Sequence, residues 1–206
     1  MINNRFILLM EDIHPAEQGD QIEGCSVERA ALAADALVGL HAPRWNDPSL
    51  ADVDWLTPRQ PERGDELAGL YSMLFPGFVD RYGTRLGVEV VAAGEQFGAV
   101  LSAWFSSFRT PQTLVHGDYR LDNMLFATGP GPAPLTVVDW QTAAIGHGPA
   151  DLAYFVGAGL LPDDRRSAEQ ALVARYREGL TAAGVEISDD LLAADYALGT
   201  ASGYLM

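Results

Sequence analysis

The sequence predicts a mostly helical α+β domain with a small β-hairpin region near its centre. Three observations predict it. Apolar residues at helical spacing fill much of the first half, the strongest stripe being Phe97, Leu101, Trp104, Phe105 and Phe108. Short strand-like runs then gather between Leu114 and Val138. Helical patterns resume at Asp151 and continue to the end.

Each element has its own signal. Residues 6–10, FILLM, are an apolar run bounded by Arg5, Glu11 and Asp12, and are expected as a buried strand. Such a strand needs neighbours on both sides, and nothing upstream supplies them. Residues 19–24 read as a turn or loop. Ser26 can cap a helix whose apolar face is Val27, Ala30, Ala31, Ala34, Leu37, Val38 and His41, and Pro43 ends it. Residues 46–63, with Pro48, Pro58, Pro61 and several acids, read as an irregular surface loop. Leu67, Leu70, Tyr71 and Leu74 predict a helix that stops before Pro76. The aromatic stripe from Phe97 predicts a core-facing helix closed by Pro111. Leu114-Val115 and Met124-Leu125-Phe126 are strand-like, and a Gly/Pro connection over residues 129–134 leads to a strand at Leu135-Thr136-Val137-Val138. Helices are expected from Asp151, over about residues 164–180, and from Ser188, the last still running at Met206. Asp163-Asp164 and Asp189-Asp190 suit helix N-termini.

Composition excludes several functions. The chain of 206 residues carries 28 acidic and 13 basic residues, a formal charge of −15. All of the basic residues are Arg, and there is no Lys. This charge opposes nucleic-acid phosphates and anionic membrane surfaces, so neither is expected as a partner. The lack of Lys removes Schiff-base and Walker-type lysine chemistry from these residues. Cys25 is the one cysteine, so no internal disulfide can form. No apolar run approaches membrane-helix length, residues 6–10 are too short for a secretory signal, and the cytoplasm is the expected location.

The chemistry lies in two segments, Val115-His116-Gly117-Asp118-Tyr119-Arg120-Leu121-Asp122-Asn123 and Val137-Val138-Asp139-Trp140-Gln141. A short strand delivers His116-Gly117-Asp118 into a loop, and Asn123 lies five residues beyond Asp118. A hairpin then delivers Asp139 at a strand end. Two carboxylates and a carboxamide converging from adjacent loops suit Mg²⁺, which binds through one or two protein oxygens plus substrate phosphates. A remaining carboxylate can orient or deprotonate a hydroxyl nucleophile.

At these residues the sequence resembles the aminoglycoside phosphotransferase and choline kinase-like family, whose fold is similar to that of protein kinases with their H-R-D-x4-N and D-F-G motifs. Residues 6–12 resemble the strand and acidic hinge between the two kinase lobes. Leu40-His41-Ala42 resembles the end of the first C-lobe helix. Gly148-Pro149-Ala150-Asp151-Leu152-Ala153-Tyr154-Phe155 resembles the segment whose aspartate braces the catalytic loop. The order and spacing of these motifs carry more weight than any one of them.

The resemblance implies a protein kinase-like C-terminal lobe that uses ATP and Mg²⁺ to phosphorylate a hydroxyl of a small molecule, of aminoglycoside, choline or related alcohol type. It implies that Asp118 accepts or orients the substrate hydroxyl and that Asn123 and Asp139 hold Mg²⁺. His116 would bond backbone near Asp139, and Asp151 would accept catalytic-loop N–H groups. Leu125 would floor the adenine pocket with Val138 nearby, and the backbone of Glu11, Asp12 and Ile13 would meet the adenine edge. Arg120 has two readings of equal standing: a positive charge on the transferred phosphoryl group, or an ion pair with Asp118 or Asp122.

The other polar residues have plainer readings. His14 is a loop residue, His41 sits at a helix C-terminus with a favourable dipole, and His147 lies in a loop between glycines. Four scattered histidines do not make a zinc site. Cys25 could be activated at a helix start, but a small, partly buried residue is the better reading. Gly157-Ala158-Gly159 lacks the third glycine and the preceding strand of a dinucleotide fingerprint.

The family's N-lobe, with its phosphate-covering loop and lysine-bearing strand, has no counterpart in these residues. The expectation is therefore a hinge strand over residues 1–14 left from a missing N-lobe, then a C-lobe over residues 15–206. The catalytic loop falls at 115–126, the metal segment at 137–141 and the C-terminal helices at 151–206, the last of these cut short. Such a chain alone is expected to be poorly active or inactive. The alternative is a non-catalytic kinase-like binding or interaction module.

Overall fold

The computed structural model describes residues 7–58 and 62–205. It is a mostly helical α+β fold, as the patterning predicts. Among the described residues, two small sheets are set among six α-helices.

The first sheet has the order β1-β4-β5, with β1 at Ala16–Gln18, β4 at Met124–Ala127 and β5 at Leu135–Val137. β4 and β5 form the expected antiparallel hairpin, pairing Met124 with Val137 and Phe126 with Leu135. β1 adds antiparallel to β4, and Gly19 N–H continues the ladder by donating to Met124 O at 2.9 Å. The second sheet has the order β2-β6-β3, with β2 at Thr57–Pro58, β6 at Ala144–Gly146 and β3 at Thr113–Val115. β3 runs antiparallel and β2 parallel to β6.

Helix α1, Val27–His41, begins where expected: Ser26 Oγ accepts the Arg29 N–H. Its buried face is Ala30, Ala33, Ala34, Leu37 and His41, and this face packs on α5, Pro162–Ala182, and α4, Gly148–Gly159. With α6, Asp189–Gly199, these helices close a core around Tyr119, Met124, Phe126, Leu152, Phe155 and Tyr176. The short side chains of α1 permit this close helix approach. A second core joins α2, Glu62–Leu86, and α3, Val88–Phe105, around Phe97, Leu101, Trp104 and Phe108. Trp104 Nε1–H donates to Leu198 O at 2.7 Å and ties this hairpin to α6.

The structure corrects several expectations. Within residues 6–10, Phe6 lies outside the described residues, and Ile7, Leu8, Leu9 and Met10 form no strand and are exposed. No partner strand pairs with them among the described residues; β1 forms six residues later, where β4 offers a ladder. Helix α2 does not stop before Pro76 but runs on to Leu86. Its aromatic ladder spans the proline, Tyr71 stacking on Phe75 and Phe75 on Phe78, so packing against α3 outweighs the one lost backbone bond. Residues 46–63 are not wholly an irregular surface loop, since Leu50 and Leu56 are buried against Ile145 and β2 pairs with β6. The aromatic-stripe helix ends at Phe105, not at Pro111. The last helix ends at Gly199 and passes into a 3-10 turn at Thr200–Tyr204. No helix among the described residues is long and apolar enough to cross a membrane.

Candidate active site

The site grows from the ends of β3 and β5. β3 delivers His116, Gly117 and Asp118 into the loop that leads to a 3-10 turn at Leu121–Asn123. β5 delivers Val138 and Asp139 beside it.

The two segments are locked through Val138. Its N–H donates to Asn123 O at 2.9 Å, and its carbonyl accepts from His116 Nε2 at 3.0 Å. The His116 tautomer follows: Nε2 carries the proton, and Nδ1 accepts the Asp118 N–H at 3.3 Å. The ring is fully buried and lies 4.8 Å from the Trp140 ring. Both backbone groups of Val138 are thus fixed, which sets the direction of Asp139. Asp139 adopts a left-handed backbone, φ 62° and ψ 61°. That conformation is unfavourable for a non-glycine residue and turns an exposed carboxylate out of the strand end.

Asp118 is partly exposed. Its Oδ2 receives Asn123 Nδ2–H at 3.1 Å and lies 3.4 Å from Arg120 Nε. Asn123 Nδ2 also donates to Asp118 O at 2.9 Å. Arg120 extends further to Asp122 Oδ2 at 3.6 Å, so the guanidinium stands between two carboxylates. The ion-pair reading of Arg120 is the geometry the structure holds.

Asp151, in the first turn of α4, carries the loop from behind. Its carboxylate accepts His116 N–H at 2.7 Å and Gly117 N–H at 3.1 Å. Gly117 has φ 83°, and a Cβ there would meet Thr142 O at 2.6 Å, so only glycine fits.

His41, read from sequence as an ordinary helix-end residue, belongs to this support. It is fully buried; Nδ1 lies 2.7 Å from Tyr176 Oη and Nε2 3.4 Å from Asp151 Oδ2. Burial and the charge of Asp151 hold the Tyr176 hydroxyl well above its usual value, so it stays a donor to Nδ1. His147 lies in the loop between Gly146 and Gly148, as read, but it is buried at the N-cap position of α4 and donates from Nδ1 to Thr110 O at 2.8 Å.

Gln21 was not a candidate. Its Oε1 accepts Leu121 N–H at 2.9 Å, its Nε2–H donates to Ala158 O at 2.7 Å, and its backbone N–H donates to Asp122 Oδ1 at 3.1 Å. It bridges the 3-10 turn at Leu121–Asn123 and the end of α4. All three contacts span a hundred residues or more, so no local pattern signals them.

Of the remaining candidates, Leu125 on β4 pairs with Thr136 of β5, and Leu125 and Val138 are both half-buried. Glu11 and Asp12 are exposed and Ile13 half-buried, in a stretch without regular structure. Cys25 is half-buried, and burial pushes its thiol up to about 11, so it is not an activated nucleophile.

The donors fit a hard divalent cation that keeps substrate and water ligands. Asn123 turns its Nδ2 toward Asp118, which leaves Oδ1 as its metal donor, and Asp139 adds an exposed carboxylate. No group of three or more His, Cys, Asp or Glu that could hold a metal occurs among the described residues.

A mostly helical α+β core thus brings the loop of Asp118 and Asn123 beside the strand end that carries Asp139, the two segments joined through Val138. The chain belongs to the phosphotransferase enzyme family (APH), whose model matches residues 5–190. Over 58 residues it is 38% identical to acyl-CoA dehydrogenase family member 11 of Gallus gallus, covering 26% of this chain and 7% of that protein. Over 50 residues it is 46% identical to family member 10 of Mus musculus, covering 24% of this chain and 5% of that protein. Among solved structures, a macrolide 2'-phosphotransferase type I superposes with a TM-score of 0.50 at 22% identity, covering 85% of this chain and 50% of that one. That likeness is one of fold. The chain spans half the length of this solved structure and a small part of the two curated relatives.

Proposed function

We propose that this chain carries the catalytic and metal-binding loops of an ATP-dependent phosphotransferase acting on a hydroxyl of a small molecule. The observation that carries the reading is the double anchoring of Val138 by His116 and Asn123, which joins the Asp118 loop to the Asp139 strand end. Family membership supports the reaction class.

In this reading Asp118 orients the acceptor hydroxyl and takes its proton as the oxygen attacks the γ-phosphorus of ATP. A phosphate ester forms, the bond from the γ-phosphorus to the bridging oxygen breaks, and ADP leaves. Asn123 Oδ1 and Asp139 would hold Mg²⁺, which would supply positive charge against the nucleotide phosphates. Arg120 exchanges its carboxylate partners for the transferred phosphoryl oxygens, where charge spreads in the transition state. Leu125 and Val138 provide apolar surface for the adenine, and the backbone of Glu11, Asp12 and Ile13 its polar edge. Asp151, His41 and Gln21 hold the loop in place.

In this reading the acceptor is a small molecule of aminoglycoside, choline or related alcohol type. The test is ADP release by the intact protein with ATP and Mg²⁺ against a panel of choline-like alcohols, aminoglycosides and macrolides. At least one acceptor should raise the rate well above the acceptor-free background. Tight nucleotide binding with no acceptor-dependent release would favour a non-catalytic binding module.

A further inference from the structure

Resting on the phosphotransfer reading, we propose that Tyr154 is a positioning residue for Asp118. Its hydroxyl holds Oδ1 of that carboxylate at the angle from which it meets the acceptor hydroxyl.

The two oxygens of Asp118 have different surroundings. Oδ2 is taken by Asn123 Nδ2–H at 3.1 Å and faces Arg120 Nε at 3.4 Å. Oδ1 faces the Tyr154 hydroxyl at 3.5 Å. Oδ1 is therefore the oxygen with room for a substrate proton, and Tyr154 is the protein group beside it.

Placement on α4 strengthens the argument. Tyr154 follows Asp151 by three residues, so both project from one helix face. Asp151 fixes the main chain of His116 and Gly117, and Tyr154 reaches the side chain one residue further on. A single helix thus sets both the path of the catalytic loop and the rotation of its carboxylate. The Tyr154 ring is buried, 8% exposed, so its hydroxyl has little freedom to leave.

The donor character is secure. Burial first, then the negative charge of Asp118, hold the Tyr154 phenol above its usual value. It remains an O–H donor throughout the neutral range. At 3.5 Å the contact is longer than an ordinary O–H···O bond, and contacts of this kind shorten when substrate closes a site. Without it, Asp118 Oδ1 is held only through the opposite oxygen, and rotation about the terminal torsion is a soft motion.

The test uses Tyr154→Phe in the intact protein, which removes one oxygen and keeps the ring. The expected result is a fall in kcat of roughly tenfold, with KM for ATP and the thermal midpoint unchanged. In an Asp118→Asn background the same substitution should add no further loss. Independently of activity, 3-fluorotyrosine placed at 154 should change its ¹⁹F shift on Asp118→Asn and not on the distant Asp163→Asn. An unchanged kcat in an active enzyme overturns the proposal, as does a ¹⁹F shift indifferent to Asp118→Asn. If no acceptor is phosphorylated, the phosphotransfer reading fails, and the ¹⁹F response alone decides whether Tyr154 orients Asp118.

Discussion

Arg120 is the residue on which geometry and chemistry pull hardest in different directions. It stands between Asp118 and Asp122, partly exposed, at 3.4 and 3.6 Å. Exposed pairs of this kind contribute about 0–1 kcal/mol, so little holds the guanidinium there against a phosphate carrying more charge. Arg120→Ala should therefore lower kcat by roughly 10²-fold while stability changes by less than about 1 kcal/mol. A kcat within a few-fold of wild type would reduce Arg120 to its ion pairs. The contact between Asp118 and Asn123 was legible in the sequence because five residues of one loop separate them. His41, Gln21 and Tyr154 were not singled out, because their partners lie 110, 100 and 36 residues away. A lone histidine at a helix end has an adequate local reading, and only the fold reveals Asp151 beside it.

At the scale of elements, α4 is the beam that carries the loop. Asp151 satisfies two backbone N–H groups and meets a buried histidine. Asp151→Ala leaves these donors unpaired in the interior and should cost about 3 kcal/mol by chemical denaturation, with activity lost. Helix α2 offers the opposite case. Pro76 sits inside it and forfeits the backbone bond to Ser72 O. Pro76→Ala restores that N–H and should stabilise the protein by up to about 3 kcal/mol; a destabilised variant would mean that the ring itself supports the α2–α3 contact. Elements with a local signal were legible: the Ser26 cap and the small-residue face of α1, the β4–β5 hairpin, and the acidic starts of α5 and α6. Strands β1, β2 and β6 were not, since each is two or three residues long and exists only through pairing with a distant partner. The apolar residues 7–10 misled for the same reason: strand-like composition does not make a strand without a neighbour.

Among the described residues, two helical cores and a small cluster of Leu50, Leu56 and Ile145 carry the fold, and the loop of Asp118 and Asn123 lies on the larger helical core. With no Lys among these 206 residues, Arg is the strongly basic side chain they offer a phosphate. That composition turns a feature which could suggest a degenerate kinase into a specific demand on Arg120. The central claim is that the Asp118, Asn123 and Asp139 centre transfers the γ-phosphoryl of ATP to a hydroxyl. The most direct measurement is transfer of label from γ-labelled ATP to an acceptor by the intact protein, beside its Asp118→Asn variant. The account predicts a labelled phosphate ester whose rate of formation falls by at least roughly 10²-fold in the variant. Label transfer that proceeds equally well without the Asp118 carboxylate would contradict it.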